Sequence, residues 1–288
     1  MKSIGIIANV KKPGAKETVG RMISWAKENK VDFCLDEALK PLWDYDEKIF
    51  PREKLPQHSE IIISLGGDGT MLAAARAVGE RGNPILGINL GSFGFLTEIT
   101  ADDIEKTLDR IARKDFLLEK RMVLKTKIEG DEKPFLYALN DVVIDKGNVA
   151  RLIQMHLYDN EEFVCSYSAD GLILSTSTGS TAYSLASGGP IIHPQMNVII
   201  VSPICPHTLA SRPIIFSENE NLKIVVECSK RDAMLTVDGQ VAEPVKSGEA
   251  VLVSKADHSV NLIKFPESSF YSILRRKFHW GIWPKREK

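Results

Sequence analysis

Residues 62–70 read Ile62-Ile63-Ser64-Leu65-Gly66-Gly67-Asp68-Gly69-Thr70, an apolar strand running into three glycines wrapped around one carboxylate, with a hydroxyl next. Apolar Met71, Leu72 and Ala73 to Ala75 follow, so the spacing predicts a loop between a buried strand and the first turn of a helix. Such a loop suits a phosphate: glycines let backbone N–H groups turn outward, and a helix N-terminus adds unpaired donors and positive dipole. A carboxylate inside a phosphate cradle repels the anion, so Asp68 points to chemistry on a hydroxyl. The competing reading is a tight turn in which Asp68 merely caps a helix. Two other phosphate loops are missing. No G-x-x-x-x-G-K-[ST] occurs, and the first strand leads into Val10-Lys11-Lys12-Pro13-Gly14 rather than G-x-G-x-x-G, which disfavours P-loop NTPases and ordinary nicotinamide dehydrogenases.

The 288 residues are enough for two cores, and 43% hydrophobic with 26% charged residues is ordinary globular composition. A net charge of −1 gives no broad basic surface, which argues against nucleic acid as a partner. Lys114, Lys120, Arg121, Lys125 and Lys127 form a local basic stretch, read as a solvated strand face. No run approaches the ~20 apolar residues of a membrane helix, and Met1-Lys2-Ser3 passes straight into a strand, so no membrane association and a cytoplasmic location are expected. Cys34, Cys165, Cys205 and Cys228 lack metal-type spacing and are expected to stay reduced. The histidines form no ligand cluster, and His193 and His207 read as structural.

Residues 1–113 alternate in the α/β manner: strand 3–9, helix 15–29, strand 31–35, a polar insertion over 41–56, strand 61–65, a helix to about 78, strand 84–89 and helix 101–113. That pattern predicts a small parallel sheet covered by helices, with the glycine-rich loops 66–70 and 91–95 leaving at the carboxyl edge, where ligands collect. From 114 to 266 short β-branched runs separated by turn signals predict an all-β sandwich: 122–128, 142–144, 153–158, 171–175, 198–201, 222–226, 234–237 and 251–254. Residues 267–288 form a tail; Phe270, Ile273, Leu274 and Phe278 at helical spacing predict an amphipathic helix that buries its apolar face back on the first domain.

Within the β region, residues 175–181 are a run of hydroxyls broken by one glycine. They lead into a short helix that starts near Thr181 and stops at Gly188-Gly189-Pro190. Hydroxyls and free N–H groups there suit a phosphate, and Tyr183 offers a flat face for a base or a nicotinamide ring; a turn with Tyr183 in the core is the alternative. Asn140-Asp141 interrupts what reads as a buried strand, a costly placement unless an adenine edge, ribose hydroxyls or turn partners satisfy it. Residues 236–240 read as a hairpin, with a ligand contact from Gln240 as the weaker option. No G-x-S-x-G elbow supports a serine hydrolase.

Taken together, Gly66-Gly67-Asp68-Gly69-Thr70, Asn140-Asp141, Asp170-Gly171, Gly179-Ser180-Thr181-Ala182-Tyr183, Gly188-Gly189-Pro190, Pro203-Ile204-Cys205-Pro206-His207 and Leu274-Arg275-Arg276-Lys277-Phe278-His279-Trp280 make the chain resemble the NAD kinases over nearly its whole length. The resemblance implies a Rossmann-like N-terminal α/β domain, a C-terminal β-sandwich and a tail returning to the first domain. It implies phosphorylation of the adenosine 2′-hydroxyl of NAD, with ATP, another nucleotide or polyphosphate as donor and Mg²⁺ as activator, in a homodimer or homotetramer. Under it Asp68 is the catalytic carboxylate, and Asp68, Gly69, Phe95, Asn140, Asp141, Arg151, Asp170, Thr181, Ala182, Tyr183, Ser184, Leu185, Ala186 and Gln240 fall at NAD-contacting positions. Gly66, Gly67, Gly69 and Thr70, with Lys12 on the loop after the first strand, are expected at the donor phosphates. Many family members carry arginine two residues before the aspartate of Asp170-Gly171; Ser168 stands here, which implies weaker selectivity between NAD and NADH, the alternative being that Ser168 faces solvent and another residue such as Arg151 fills the role. A lipid kinase would share the glycine loop but want an apolar cleft, and a non-catalytic NAD sensor would have no need of Asp68.

Overall fold

The computed structural model describes residues 1–43, 48–91, 93–97, 99–147, 152–208, 210–228, 233–267 and 269–280. The chain divides into two compact units, Met1–Glu119 with Asn261–Lys288, and Lys120–Val260.

In the first unit β1 (Ser3–Ala8), α1 (Ala15–Glu28), β2 (Asp32–Asp36), β3 (Ile49–Phe50), α2 (Leu55–His58), β4 (Ile61–Gly66), α3 (Asp68–Val78), β5 (Ile85–Asn89), β6 (Ile99–Thr100) and α4 (Ile104–Ala112) follow one another. The strands pair in parallel in the order β5-β4-β1-β2-β3, with β6 beside β5. They are apolar on both faces because helices cover both. Ile4, Ile6, Ile63 and Leu65 share a core with Val19 and Met22 of α1 and Leu108 of α4. Ile7 and Ile62, which strand alternation turns the other way, are fully buried on the side of α2 and α3. Arg21 donates to Glu105 and Trp25 Nε1 to Asp109 at 2.8 Å, tying α1 to α4. Parallel pairing brings the carboxyl ends of β1, β4 and β5 to one edge, where Asn9 N–H donates to the Leu65 carbonyl and Leu90 N–H to that of Gly66.

The second unit contains most of β7 (Leu117–Ile128), β8 (Leu136–Ala138), β9 (Asp141–Asp145), β10 (Ile153–Asp159), β11 (Glu162–Ala169), β12 (Gly171–Thr176), α5 (Tyr183–Ala186), β13 (Val198–Ile204), β14 (Ile214–Ser217), β15 (Leu222–Glu227), β16 (Ala233–Val237), β17 (Val241–Val245) and most of β18 (Ala250–Lys264). One sheet runs β14-β13-β12-β9-β16-β17, antiparallel throughout. The other runs β11-β10-β15-β18, with β7 on β18 and β8 on β7. Val142, Leu172, Leu174 and Leu235 from the first sheet and Met155, Leu157, Ile224 and Val251 from the second share one core, the interior of a sandwich. The end of β18 and α6 (Phe270–Phe278) belong to the first unit, Leu262 pairing in parallel with Ile85.

Two sequence expectations change. Asn140-Asp141 does not interrupt a strand; Leu136–Ala138 pairs in one sheet and Asp141–Asp145 in the other, so Leu139 and Asn140 are the corner where the chain changes sheet. Arg121 is not on a solvated face: it is 5% exposed, and its guanidinium donates to Thr178 Oγ1 at 3.2 Å.

Candidate active site

In the first unit α3 begins at Asp68 directly after the buried end of β4, with Gly67 as N-cap in extended conformation and no side chain capping the helix. The glycines do different work. Gly66 lies inside the sheet, paired with Asn89, and a Cβ there would meet that of Asn9 at 3.1 Å, so close packing requires it. Around Gly67 and Gly69 a Cβ would meet nothing within 4 Å, so no neighbouring atom crowds these two positions at the helix start. Thr70 is half-buried on the first turn, its N–H turned back to the Gly67 carbonyl. The Lys12 ammonium sits 3.8 Å from where a Cβ on Gly91 would stand, at the same edge.

The Asp68 carboxylate is held from outside its own helix. Phe95 N–H donates to one oxygen at 2.9 Å; Leu96 N–H and Thr97 Oγ1 donate to the other, each at 3.1 Å. Asn89 holds Thr97 in turn, donating from Nδ2 to Oγ1 at 3.0 Å and accepting from Gly91 N–H at 2.6 Å. Three donors at the helix start hold this carboxylate in one orientation. The Phe95 ring lies 5.8 Å from that of Phe278 on α6.

In the second unit the Leu139-Asn140 corner is gripped by a residue that the sequence does not single out. Asp238, in the β16–β17 turn, accepts backbone N–H bonds from Leu139 at 3.0 Å, Asn140 at 2.8 Å and Asp141 at 3.1 Å. Both Asp238 and Gly239 have positive φ, 50° and 63°, the combination of a tight hairpin turn. Asp-Gly between two β runs is the usual hairpin signal and masks the second task of the carboxylate. On its other side the corner meets Thr176, whose Oγ1 donates to the Leu139 carbonyl at 2.6 Å, and Gly179, where a Cβ would lie 2.8 Å from Asn140 Cα. The hydroxyls expected to meet a phosphate are largely spent within the fold: Ser177 Oγ donates to the Met196 carbonyl, Ser180 Oγ to that of Ser177, and Ser184 pairs with Ser202.

What the unit leaves available is different. Neither the Asn140 amide nor the Asp141 carboxylate makes a side-chain hydrogen bond among the described residues, although Asp141 is only 6% exposed. Tyr183, first residue of α5, is 47% exposed, and burial of its hydroxyl together with the nearby Asp145, Cys205, Asp141 and Asp170 raises its pKa. Asp170 accepts from Lys146 Nζ at 2.6 Å. Thr181, Ala182 and Leu185 are half-buried beside Tyr183, with Ala186 exposed at the end of α5 and Ser184 fully buried beneath it. Gln240 is exposed after the hairpin turn. Ser168 faces away from the sandwich core on edge strand β11, its neighbours Tyr167 and Ala169 being buried. Arg151 lies outside the described residues.

Burial and the neighbouring Asp238 carboxylate push the pKa of Asp141 up from 3.8 to about 7. The folded protein therefore keeps a proton that the unfolded chain releases above pH ~4, and stability falls as pH rises from there to about 7. Asp141→Asn is neutral throughout that window. Thermal melts are expected to show the variant gaining on the wild type between pH 5 and pH 8; a difference independent of pH would contradict the burial argument.

Family models for the ATP-NAD kinase N-terminal domain and the ATP-NAD kinase C-terminal domain match residues 4–116 and 139–265. The NAD kinase of Solibacter usitatus is 39% identical over 98% of this chain and 98% of its own, and that of Heliobacterium modesticaldum 40% over 98% and 100%. Among solved structures, the chain superposes on yeast NADH kinase complexed with NADH with a TM-score of 0.91 at 23% identity, covering 100% of this chain and 90% of that one. It superposes on an NAD kinase from Archaeoglobus fulgidus in complex with ATP with a TM-score of 0.77 at 25% identity, covering 97% and 99%. The glycine loop with its tethered carboxylate and the two-sheet unit with its open corner are thus parts of one enzyme, and the chain belongs to the NAD kinase family, converting NAD to NADP with ATP.

Proposed function

We propose that Asp68 takes or orients the proton of the adenosine 2′-hydroxyl of NAD as that oxygen attacks the γ-phosphorus of ATP. The observation that carries this reading is the carboxylate held by Phe95 N–H, Leu96 N–H and Thr97 Oγ1 at the open start of α3. Phosphoryl transfer leaves the protein little covalent work; it requires an in-line nucleophile and neutralisation of the equatorial oxygens. The uncrowded helix start at Gly67 and Gly69, the Thr70 hydroxyl and the Lys12 ammonium supply room, a donor and positive charge for the phosphates, with Gly66 letting the strand end pack closely behind them. Backbone donors and one lysine recognise phosphate rather than base, which suits ATP and, by the same contacts, other nucleotides or polyphosphate.

Among the described residues no group of three or more His, Cys, Asp or Glu is placed to hold a metal ion. A magnesium ion carried on the triphosphate would find the Asp68 carboxylate at the start of α3, since Mg²⁺ is usually held by one or two carboxylates plus substrate phosphates. When bound, the ion would neutralise charge on the transferring phosphoryl group.

In the second unit Asn140 and Asp141 offer unsatisfied hydrogen-bonding groups for the adenosine, and Tyr183 a ring face. Asp170, Thr181 to Ala186, Gln240, Phe95 and Arg151 are the remaining proposed NAD contacts, with Ser168 proposed at the nicotinamide end where many family members carry arginine. A homodimer or homotetramer would find exposed Phe163 and Ile215 on the edge strands β11 and β14. No described helix is long and apolar enough to cross a membrane.

Asn140→Ala and Tyr183→Ala are each expected to weaken NAD binding about tenfold, roughly the worth of one good contact, while shifting ATP binding by less than about twofold. Calorimetric titration with each nucleotide checks this. Equal losses for NAD and ATP would remove the assignment of NAD to the second unit.

A further inference from the structure

A cavity of about 400 Å³ lies within the first unit, away from the glycine loop: none of Lys12, Gly67, Asp68 or Gly69 lines it. Its volume falls in the range of small-molecule sites, roughly 300–1,000 Å³. Leu96, Phe265 and Ile273 give it an apolar floor, and Lys106, Arg110, Lys264 and Arg276 outnumber Asp103 and Glu267 around it. Arg110 is already occupied, donating to Asp115 at 2.7 Å and Glu267 at 3.1 Å and stacking on Phe265. Lys106 has no acidic partner among the described residues, and Arg276 lies 4.3 Å over the Phe93 ring rather than against a carboxylate. Lys106 and Arg276 are therefore the lining cations that favour an anion, and the floor favours an apolar body.

The cavity also touches the machinery that orients Asp68. Phe93 and Leu96 form part of its wall, and Leu96 N–H, together with that of Phe95, holds the Asp68 carboxylate. On the far wall α6 contributes Ser272, Ile273 and Arg276, and its Phe278 meets the ring of Phe95. One strip of chain, 93–97, is thus both the wall of the cavity and the clamp on the carboxylate.

We propose that this cavity binds a small organic anion with an apolar body, and that its occupancy changes turnover by shifting the 93–97 strip. The regulatory half rests on the proposed role of Asp68; the binding half does not. The probe is 1-anilinonaphthalene-8-sulfonate, an aromatic anion that fluoresces on entering an apolar site, added to the full-length protein. One equivalent is expected to bind, undisplaced by saturating NAD or ATP, and to lower kcat at least about twofold. Lys106→Glu removes charge and Ser272→Trp removes space; each is expected to weaken probe binding at least about fivefold while leaving basal kcat within about twofold. Asp68→Asn is expected to bind the probe as the wild type does. Displacement by either nucleotide, or unchanged affinity in both cavity variants, would overturn the site. Binding that both variants weaken, with kcat unmoved at saturation, would overturn the regulation. If Asp68→Asn proved as active as wild type while the probe still bound and lowered kcat, the Asp68 assignment would fall and the cavity would stand.

Discussion

Asp68→Asn is expected to lower kcat for NADP formation by about a hundredfold or more, the usual scale for losing a positioned acid–base group, with NAD affinity changed by less than about threefold. The amide can still accept through its carbonyl oxygen. In the wild type Leu96 N–H and Thr97 Oγ1 share one carboxylate oxygen while Phe95 N–H uses the other, so a carbonyl keeps two of the three bonds and the NH₂ opposes only Phe95. The loss is therefore chemical rather than structural: the side chain keeps its shape and most of its tethers, and gives up its charge and its ability to take a proton. A fall in NAD affinity equal to the fall in kcat would mean instead that Asp68 binds substrate in the ground state.

The second large effect is expected at a residue that touches no substrate. Asp238→Ala removes the acceptor of three backbone N–H groups at once, and each buried donor left unsatisfied costs roughly 1–3 kcal/mol. Asp238 is only 8% exposed, so water replaces it poorly, and alanine at φ 50° adds about 1–2 kcal/mol of backbone strain. A destabilisation of about 4 kcal/mol or more is expected in urea unfolding, together with weaker NAD binding as the Leu139-Asn140 corner loosens. Asp238→Asn separates the causes, because it tolerates positive φ and its carbonyl oxygen can keep the bonds from Asn140 and Asp141. It is expected to recover more than half of the lost stability. If alanine and asparagine were equally and only slightly destabilising, the corner would not depend on Asp238.

The α/β unit is legible from sequence because its signals are local and redundant: buried strands read as apolar runs, and helices show apolar residues at 3.6 spacing. The sandwich is legible only where a strand has a clean apolar face. β18 continues for 15 residues, but only Val251 to Ser254 stands out, because Lys255, Asp257 and His258 break the pattern. β11 and β17 are edge strands, the first carrying Glu162, Ser166 and Ser168 and the second Pro244, which an edge tolerates because a ladder bond is not required there.

At the site, residue types reveal chemistry better than they reveal partners. Asp68 is conspicuous because a carboxylate set among three glycines at a strand-to-helix turn would repel an anion there. Its tethers at Phe95, Leu96 and Thr97 are two backbone amides and one hydroxyl, which carry no sequence signal of their own. The hydroxyl run misleads in the opposite direction: Thr176, Ser177 and Ser180 look like ligand groups and are spent on carbonyls of the same unit. Asp238 is hidden in a hairpin signal, and only the tertiary fold shows that its carboxylate reaches back about a hundred residues to the corner.

The most direct test is a single-turnover measurement with enzyme in excess over NAD at saturating ATP and Mg²⁺, following 2′-phosphorylated product in wild type and Asp68→Asn. Substrate binding and product release no longer limit the observed rate, so the chemical step is read alone. The role proposed for Asp68 requires the same product from both proteins, formed at least about a hundredfold more slowly by the variant. Phosphoryl transfer by the variant at the wild-type rate would contradict it.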